Sequence, residues 1–293
     1  MISKRTFTYK VIDDCAIKAD VYRKEDSTIQ PVIVFIHGGA LIGGCRSDAI
    51  TIIQMLANAG YTVVSIDYRL APETKLKNII LDIRDAFGWV REEGRALFNI
   101  DPNRIGVVGN SAGGYLTLMS GFIIDPPPNA LISIYGYGDI DGSWYKKPDP
   151  FYCRQPLVAE SIARAAIGTH TISEISRPNN RILFYLYCRQ HGCWPKEVTG
   201  YDPEIEPESF DPFCPIRNVT TQYPPTLLIH GDKDTDVPYE KSVAMAKKLE
   251  EAGVTHQLVT VLGKGHGFEA DGFADPVVAS ALDKALAFLK QYV

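Results

Sequence analysis

Five short, uninterrupted apolar runs constrain this chain more than any other feature: "PVIVFIHGG", "YTVVSIDY", "RIGVVGNS", "ALISIYGY" and "PTLLIHGD". None alternates polar with apolar residues, so each reads as a strand buried on both faces rather than one with a wet side. Most are separated by longer amphipathic segments such as "SDAITIIQMLANAG" and "LKNIILDIRDAFGWVREEG". Buried strands joined by helices imply an α/β fold: a mostly parallel central sheet with helices on both faces. At 293 residues and 45% hydrophobic composition the chain can bury such a sheet, as one large domain or as a core with an appendage.

Two stretches break the rhythm. Residues 6 to 22 alternate loosely and break at Asp13 and Asp14, which predicts an antiparallel edge hairpin. From 138 to 215 the chain is rich in Pro, Tyr, Trp, Cys and Arg, with one helix expected near "PLVAESIARAAIG" and another near "RILFYLYCRQ". That is too long for an ordinary connection and too aromatic for disorder. It reads as an inserted cap, with the core formed by 1–137 and 216–293. After it come a strand at 225–231, a helix from Tyr239 to Ala252, the strand "HQLVTVL" and a closing helix from Pro276 to Tyr292.

A net charge of −5 and the lack of any Lys/Arg block argue against nucleic acid or an anionic membrane as partner. The opening segment has no signal-peptide core, and no apolar run reaches the roughly 18 residues of a membrane span. A cytoplasmic location is the expectation. The six cysteines, at 15, 45, 153, 188, 193 and 214, are scattered, and Cys188 and Cys193 lack a second pair at zinc spacing. Reduced, mostly buried thiols are expected, with no metal and no organic cofactor. Composition does not fix the oligomeric state.

The run "RIGVVGNSAGGYLTL" places one hydroxyl, Ser111, at the corner between a strand and a helix. Such a corner requires small neighbours because the chain doubles back on itself, and Gly109 and Gly113 supply them. The G-x-S-x-G pattern lifts Ser111 above the C-terminal edge of the sheet and sets the Ala112 N–H at a helix N-terminus, aimed at any oxyanion formed there. A serine needs a base and an orienting acid. "VLGKGHGF" supplies His266 between two glycines, and "TLLIHGDKDTDVP" supplies Asp232, Asp234 and Asp236, in the chain order this architecture requires. His37 and His230 stand at strand ends, where they fix loops, and His170, His191 and His256 are poorer bases still.

The ordered motifs "HGG", "DYRLAPE", "GNSAGG", "HGDKDTDVP" and "GHGF" make the chain resemble the α/β-hydrolase superfamily, in particular its microbial esterase branches. The resemblance covers nearly the whole chain outside the cap. In relatives with H-G-x-x-D-x-x-V-P the acid is the fifth residue, which implies Asp234 with Asp236 as second choice. The loop "IHGGALIGG" is implied to supply the remaining oxyanion donors, Gly39 and Ala40 first, with Gly38 allowing close approach and standing as a further donor of the hole. Ala40 stands where the hormone-sensitive-lipase-like pattern has its third glycine. The further proline pattern, N-terminal helical cap and D-P-x acid motif of that branch are missing, and the acid loop resembles dienelactone hydrolases and prolyl-oligopeptidase-like enzymes. Asp67 and Arg69 read as structural.

The resemblance implies a serine carboxylic-ester hydrolase acting through an acyl-enzyme on small or short-acyl esters, acetylated or aromatic ones among them. The alternatives are an amidase or peptidase on the same triad, or a non-catalytic small-molecule receptor. Trp144, Tyr145, Phe151, Tyr152, Tyr185, Tyr187 and Trp194 are expected over the site, either walling the pocket or forming the cap's own small core.

Overall fold

The computed structural model describes residues 1–26, 28–175 and 181–293. Strands β1 (Ile2–Ile12) and β2 (Cys15–Lys24) form the expected antiparallel hairpin. Its turn falls at Asp13 and Asp14, and Asp13 takes a positive φ of 49°. β2 pairs antiparallel with β4 (Thr62–Ile66). From there β3 (Gln30–Ile36), β5 (Ile100–Asn110), β6 (Ala130–Ile134), β7 (Thr226–Gly231) and β8 (His256–Val261) run parallel. Among the described residues the sheet has eight strands in the order β1-β2-β4-β3-β5-β6-β7-β8.

The uninterrupted apolar runs have a simple cause. Along β3, Val32, Val34 and Ile36 enter one core while Ile33 and Phe35 enter the other. The first core is closed by α2 (Leu76–Phe98), α3 (Ala112–Ile123) and α8 (Glu240–Glu251), through residues such as Ile83, Leu116 and Leu249. The second is closed by α1 (Ile50–Asn58) and α9 (Pro276–Tyr292), through Ile53, Leu282 and Phe288. With both faces dry, most strand positions are apolar, the few buried polar ones such as Ser65 and Ser133 bonding backbone carbonyls, and each buried Val, Leu or Ile contributes about 1.5–3 kcal/mol relative to exposure.

Among the described residues four α-helices lie between β6 and β7: α4 (Ser143–Lys146), α5 (Glu160–Arg164), α6 (Arg181–His191) and α7 (Trp194–Thr199). α6 falls where expected; α5 is five residues long, much shorter than the run that suggested it. Leu157 and Ile162 in that run are exposed, so it has too little buried apolar face to support more turns. The thiols are free, but only Cys188 and Cys214 are buried; Cys153 is exposed, which corrects the expectation of mostly buried cysteines.

The parallel strands end at a common edge. The turns after β3, β5, β7 and β8 carry, in order, Gly38 to Ala40, Ser111, the three aspartates and His266. Open parallel sheets place their ligand sites at this edge.

Candidate active site

Ser111 joins β5 to α3 with φ 55° and ψ −122°, a region that L-residues rarely occupy. The surroundings hold it there. Its N–H donates to Ile134 O at 2.9 Å and its carbonyl accepts Tyr115 N–H at 3.0 Å. A Cβ on Gly109 would lie 2.3 Å from Gly113 O, and one on Gly113 would lie 1.9 Å from Ile36 O. Glycine is required at both positions by backbone passing against backbone. Ala112 opens α3, and its N–H is one of the first four that a helix leaves without an internal partner.

His266 Nε2 stands 3.0 Å from Ser111 Oγ, and His266 Nδ1 stands 2.7 Å from Asp234 Oδ2. The Asp234 side chain is fully buried, and its Oδ1 accepts the N–H groups of Asp236 at 2.8 Å and Val237 at 3.0 Å. Burial alone would raise the Asp234 pKa. Bonds from His230 and His266, the His266 charge and the Val237 N–H outweigh it and hold the carboxyl well below its usual range. Burial likewise disfavours the His266 cation, but the Asp234 bond and the charges of Asp236, Asp234 and Glu269 outweigh that and raise its pKa. The ring therefore has a carboxylate on one nitrogen and a hydroxyl on the other.

The remaining acid-loop and histidine candidates have other work. Asp232 accepts Gly263 N–H at 2.5 Å and fixes the loop. Asp236, the second choice for the acid, meets His266 at the opposite nitrogen, with Oδ2 3.5 Å from Nε2. His230 bridges Ser242 Oγ at 2.7 Å and Val237 O at 3.0 Å. His37 is buried, stacked 4.3 Å from the Tyr68 ring, and burial holds its pKa down at about 4.

The loop after β3 lies directly against the serine, since a Cβ on Gly38 would approach Ser111 Cβ to 3.1 Å. Gly39, Ala40 and Leu41 take successive φ values of 106°, 56° and 61°. Gly39 O accepts the N–H groups of Ile42 and Gly43 at 2.9 Å each. Because a trans peptide points its C=O and N–H in opposite directions, those bonds fix the direction of the Ala40 N–H. Two side chains from the β6–β7 segment hold the same loop: Trp194 Nε1 donates to Ala40 O at 3.0 Å, and Arg181 Nε donates to Ile42 O at 2.7 Å. Arg181 is paired with Glu73, the last residue of "DYRLAPE", through contacts of 2.8 and 2.7 Å.

Sequence reading passed over Glu73 and Arg181. They lie 108 positions apart, and no local pattern links them. The place of Glu73 at the end of the motif "DYRLAPE" is the available signal. Asp67 and Arg69 are structural: Asp67 accepts the Arg46 N–H at 2.7 Å, and Arg69 Nε bonds Asp82 at 2.7 Å.

A cavity of about 1090 Å³ opens over Ser111 and His266, walled by Gly38, Gly39, Ala40, Asn110, Tyr135, Tyr185, Asp236 and Glu269. Of the seven aromatics expected there, Tyr185 alone lines it among the described residues. Trp144, Tyr145 and Trp194 instead stack on one another, with ring centroids at 3.7 and 4.1 Å, and join the core on the first face of the sheet rather than a separate core of the segment. Among the described residues no group of three or more His, Cys, Asp or Glu is placed to hold a metal ion. None of their helices is long and apolar enough to cross a membrane.

Comparison with known proteins covers the chain from both ends. The family model described as BD-FAE matches residues 19–149, and that of the prolyl oligopeptidase family matches residues 178–293. The chain is 28% identical to esterase LipC of Mycobacterium tuberculosis over 88% of its own length and 58% of that protein. It is 27% identical to the non-reducing polyketide synthase atr1 of Stereocaulon alpinum over 92% of its length, but only 12% of the synthase. The chain thus spans only part of these relatives. A crystal structure titled as an alpha/beta hydrolase superfamily protein from Enterococcus faecalis superposes with a TM-score of 0.76 at 23% identity, covering 99% of both chains.

Proposed function

We propose that this chain, an esterase-like α/β hydrolase, is a serine carboxylic-ester hydrolase acting on small or short-acyl esters. The observation that carries the reading is the 3.0 Å approach of His266 Nε2 to Ser111 Oγ, with Asp234 at 2.7 Å from the other ring nitrogen. Ser111 attacks the ester carbonyl while His266 accepts its proton. The N–H groups of Gly39, Ala40 and Ala112 receive the oxyanion, and Gly38 gives the carbonyl room to approach. His266 then protonates the leaving alcohol, and water, activated by the same ring, hydrolyses the acyl-enzyme. Asp234 orients the ring and stabilises its cation; the chemistry asks for no cofactor.

In this reading residues 138–215 are the cap over a core of 1–137 and 216–293, the substrate is a small-molecule ester and the site of action is cytoplasmic. The test is hydrolysis of p-nitrophenyl acetate, butyrate and octanoate and of an aminoacyl p-nitroanilide by wild type and Ser111→Ala. Ester cleavage that falls by about 10⁴-fold or more in the variant is expected, with the chain-length trend sizing the acyl side. Cleavage of the anilide alone would assign an amidase or peptidase, and no serine-dependent turnover would favour a receptor.

A further inference from the structure

We propose that Asp236 recognises the alcohol half of the substrate and selects esters whose leaving alcohol carries a hydroxyl next to the ester-bearing carbon. The proposal rests on the serine-hydrolase reading above and names its substrate class. Asp236 lines the cavity together with Ser111 and His266. Its two carboxylate oxygens differ in what they meet. Oδ1 accepts the Tyr152 hydroxyl at 2.8 Å, the Tyr185 hydroxyl and Arg189 Nη1 at 2.7 Å. Arg189 is 1% exposed and is itself anchored to Asp149 at 2.6 Å. The side chain is therefore held from the β6–β7 segment in one orientation. Among the described residues Oδ2 accepts no hydrogen bond; it meets His266 Nε2 at 3.5 Å, while that nitrogen serves Ser111.

The position identifies the half of the substrate. His266 Nε2 must reach the leaving oxygen to return the proton, so a carboxylate oxygen beside Nε2 lies on the leaving-alcohol side, away from the oxyanion loop. An ionised carboxylate only accepts hydrogen bonds. It therefore disfavours ether or carbonyl oxygens placed there and favours an O–H. Arg189 meets Asp236 at 2.7 Å and Asp149 at 2.6 Å, so it holds the carboxylate in place without cancelling its charge, and an O–H placed there finds a charged acceptor. A vicinal hydroxyl, as in glycol, glycerol or sugar esters, reaches Oδ2 while its neighbouring oxygen faces His266.

Three acetates test this: 2-hydroxyethyl, 2-methoxyethyl and n-propyl acetate. They share one acyl-enzyme, so kcat/KM reports acylation alone, and the methoxy ester matches the electron withdrawal of the hydroxy ester without its donor. Wild type is expected to prefer the hydroxyethyl over the methoxyethyl ester by about tenfold or more, the worth of a hydrogen bond to a charged acceptor. Asp236→Asn is expected to bring the ratio near one. If Asp236 only tuned His266 or held the deacylating water, all three esters would change together and the ratio would stand. A wild-type ratio near one, or a ratio that persists in Asp236→Asn, overturns the proposal; the wild-type ratio decides even if the variant does not fold. Hydrolysis of p-nitrophenyl acetate that depends on Ser111 keeps the parent reading intact in that case, whereas its absence removes both.

Discussion

Glu73→Gln is the substitution whose effect the structure sizes best. The Glu73 and Arg181 side chains are 3% and 5% exposed, and their closest contact is 2.7 Å. Removing one charge takes from the buried Arg181 guanidinium a carboxylate it meets at 2.7 Å, and breaking a buried ion pair costs about 3–5 kcal/mol. Glutamine still offers one acceptor, so the lower end applies. With an unfolding entropy of about 2.1 cal/mol/K per residue over 293 residues, 3 kcal/mol corresponds to a Tm lower by about 5 °C. The pH dependence adds a second signature. Burial pushes the Glu73 pKa up, but the Arg181 bonds and the Gly168 N–H prevail and hold it below the usual 4.5. A depressed folded-state pKa gives stability that is present above pH 4.5 and lost as pH falls through the folded value. The Tm gap between wild type and variant is thus full at pH 7 and closes in acid below the usual carboxylate range. Because Arg181 also holds Ile42 O, kcat for p-nitrophenyl acetate is expected to fall about tenfold with KM little changed, the pattern of a lost transition-state interaction. Thermal melts at pH 7 and pH 3 with steady-state kinetics measure all three. A Tm within 1 °C of wild type at pH 7, or a gap that does not narrow in acid, refutes the argument.

Trp194→Phe leaves Ala40 O without its indole donor, now at 3.0 Å; a destabilisation of about 1–3 kcal/mol and a drop in kcat larger than any rise in KM are expected from denaturation and kinetics. Gly113→Ala drives a methyl to within 1.9 Å of Ile36 O, so esterase activity should vanish and the melt should shift down, and a folded, active variant would contradict the packing at the corner. In the proposed mechanism His266 acts as base only when neutral, and its pKa is raised above the usual 6.5: burial opposes the cation, but Asp234, Asp236 and Glu269 outweigh it. The kcat/KM profile for p-nitrophenyl acetate should therefore rise with pH through a midpoint above 6.5, and Asp236→Asn should move that midpoint down.

Local features were legible in the sequence because local chemistry sets them. The five apolar runs became β3 to β7, since burial on two faces leaves few polar positions. The closing helix has the expected bounds because Asp275 caps it, accepting the N–H groups of Val277 and Val278, with Pro276 at its first turn. The serine corner is equally local, and its glycines could be read without knowing what they touch. What stayed hidden depends on residues far apart in the chain. Arg189 joins Asp149 and Asp236 over separations of 40 and 47 positions, in a segment with no period to reveal a facing side. The same lack hid α4 and α7, each too short to show one. The direction of the segment aromatics was also hidden: Trp144, Tyr145 and Trp194 bury themselves, and their hydroxyl-bearing neighbours Tyr152 and Tyr185 turn to Asp236.

The hold of Trp194 and Arg181 on the loop after β3 bears on how such a protein could be re-engineered. A segment that only roofed the pocket could be exchanged for another roof to change specificity. Here residues of the β6–β7 segment also hold two carbonyls of the loop after β3, so a transplanted segment without an indole and a guanidinium at the same points would bring its own pocket wall and leave that loop unsupported.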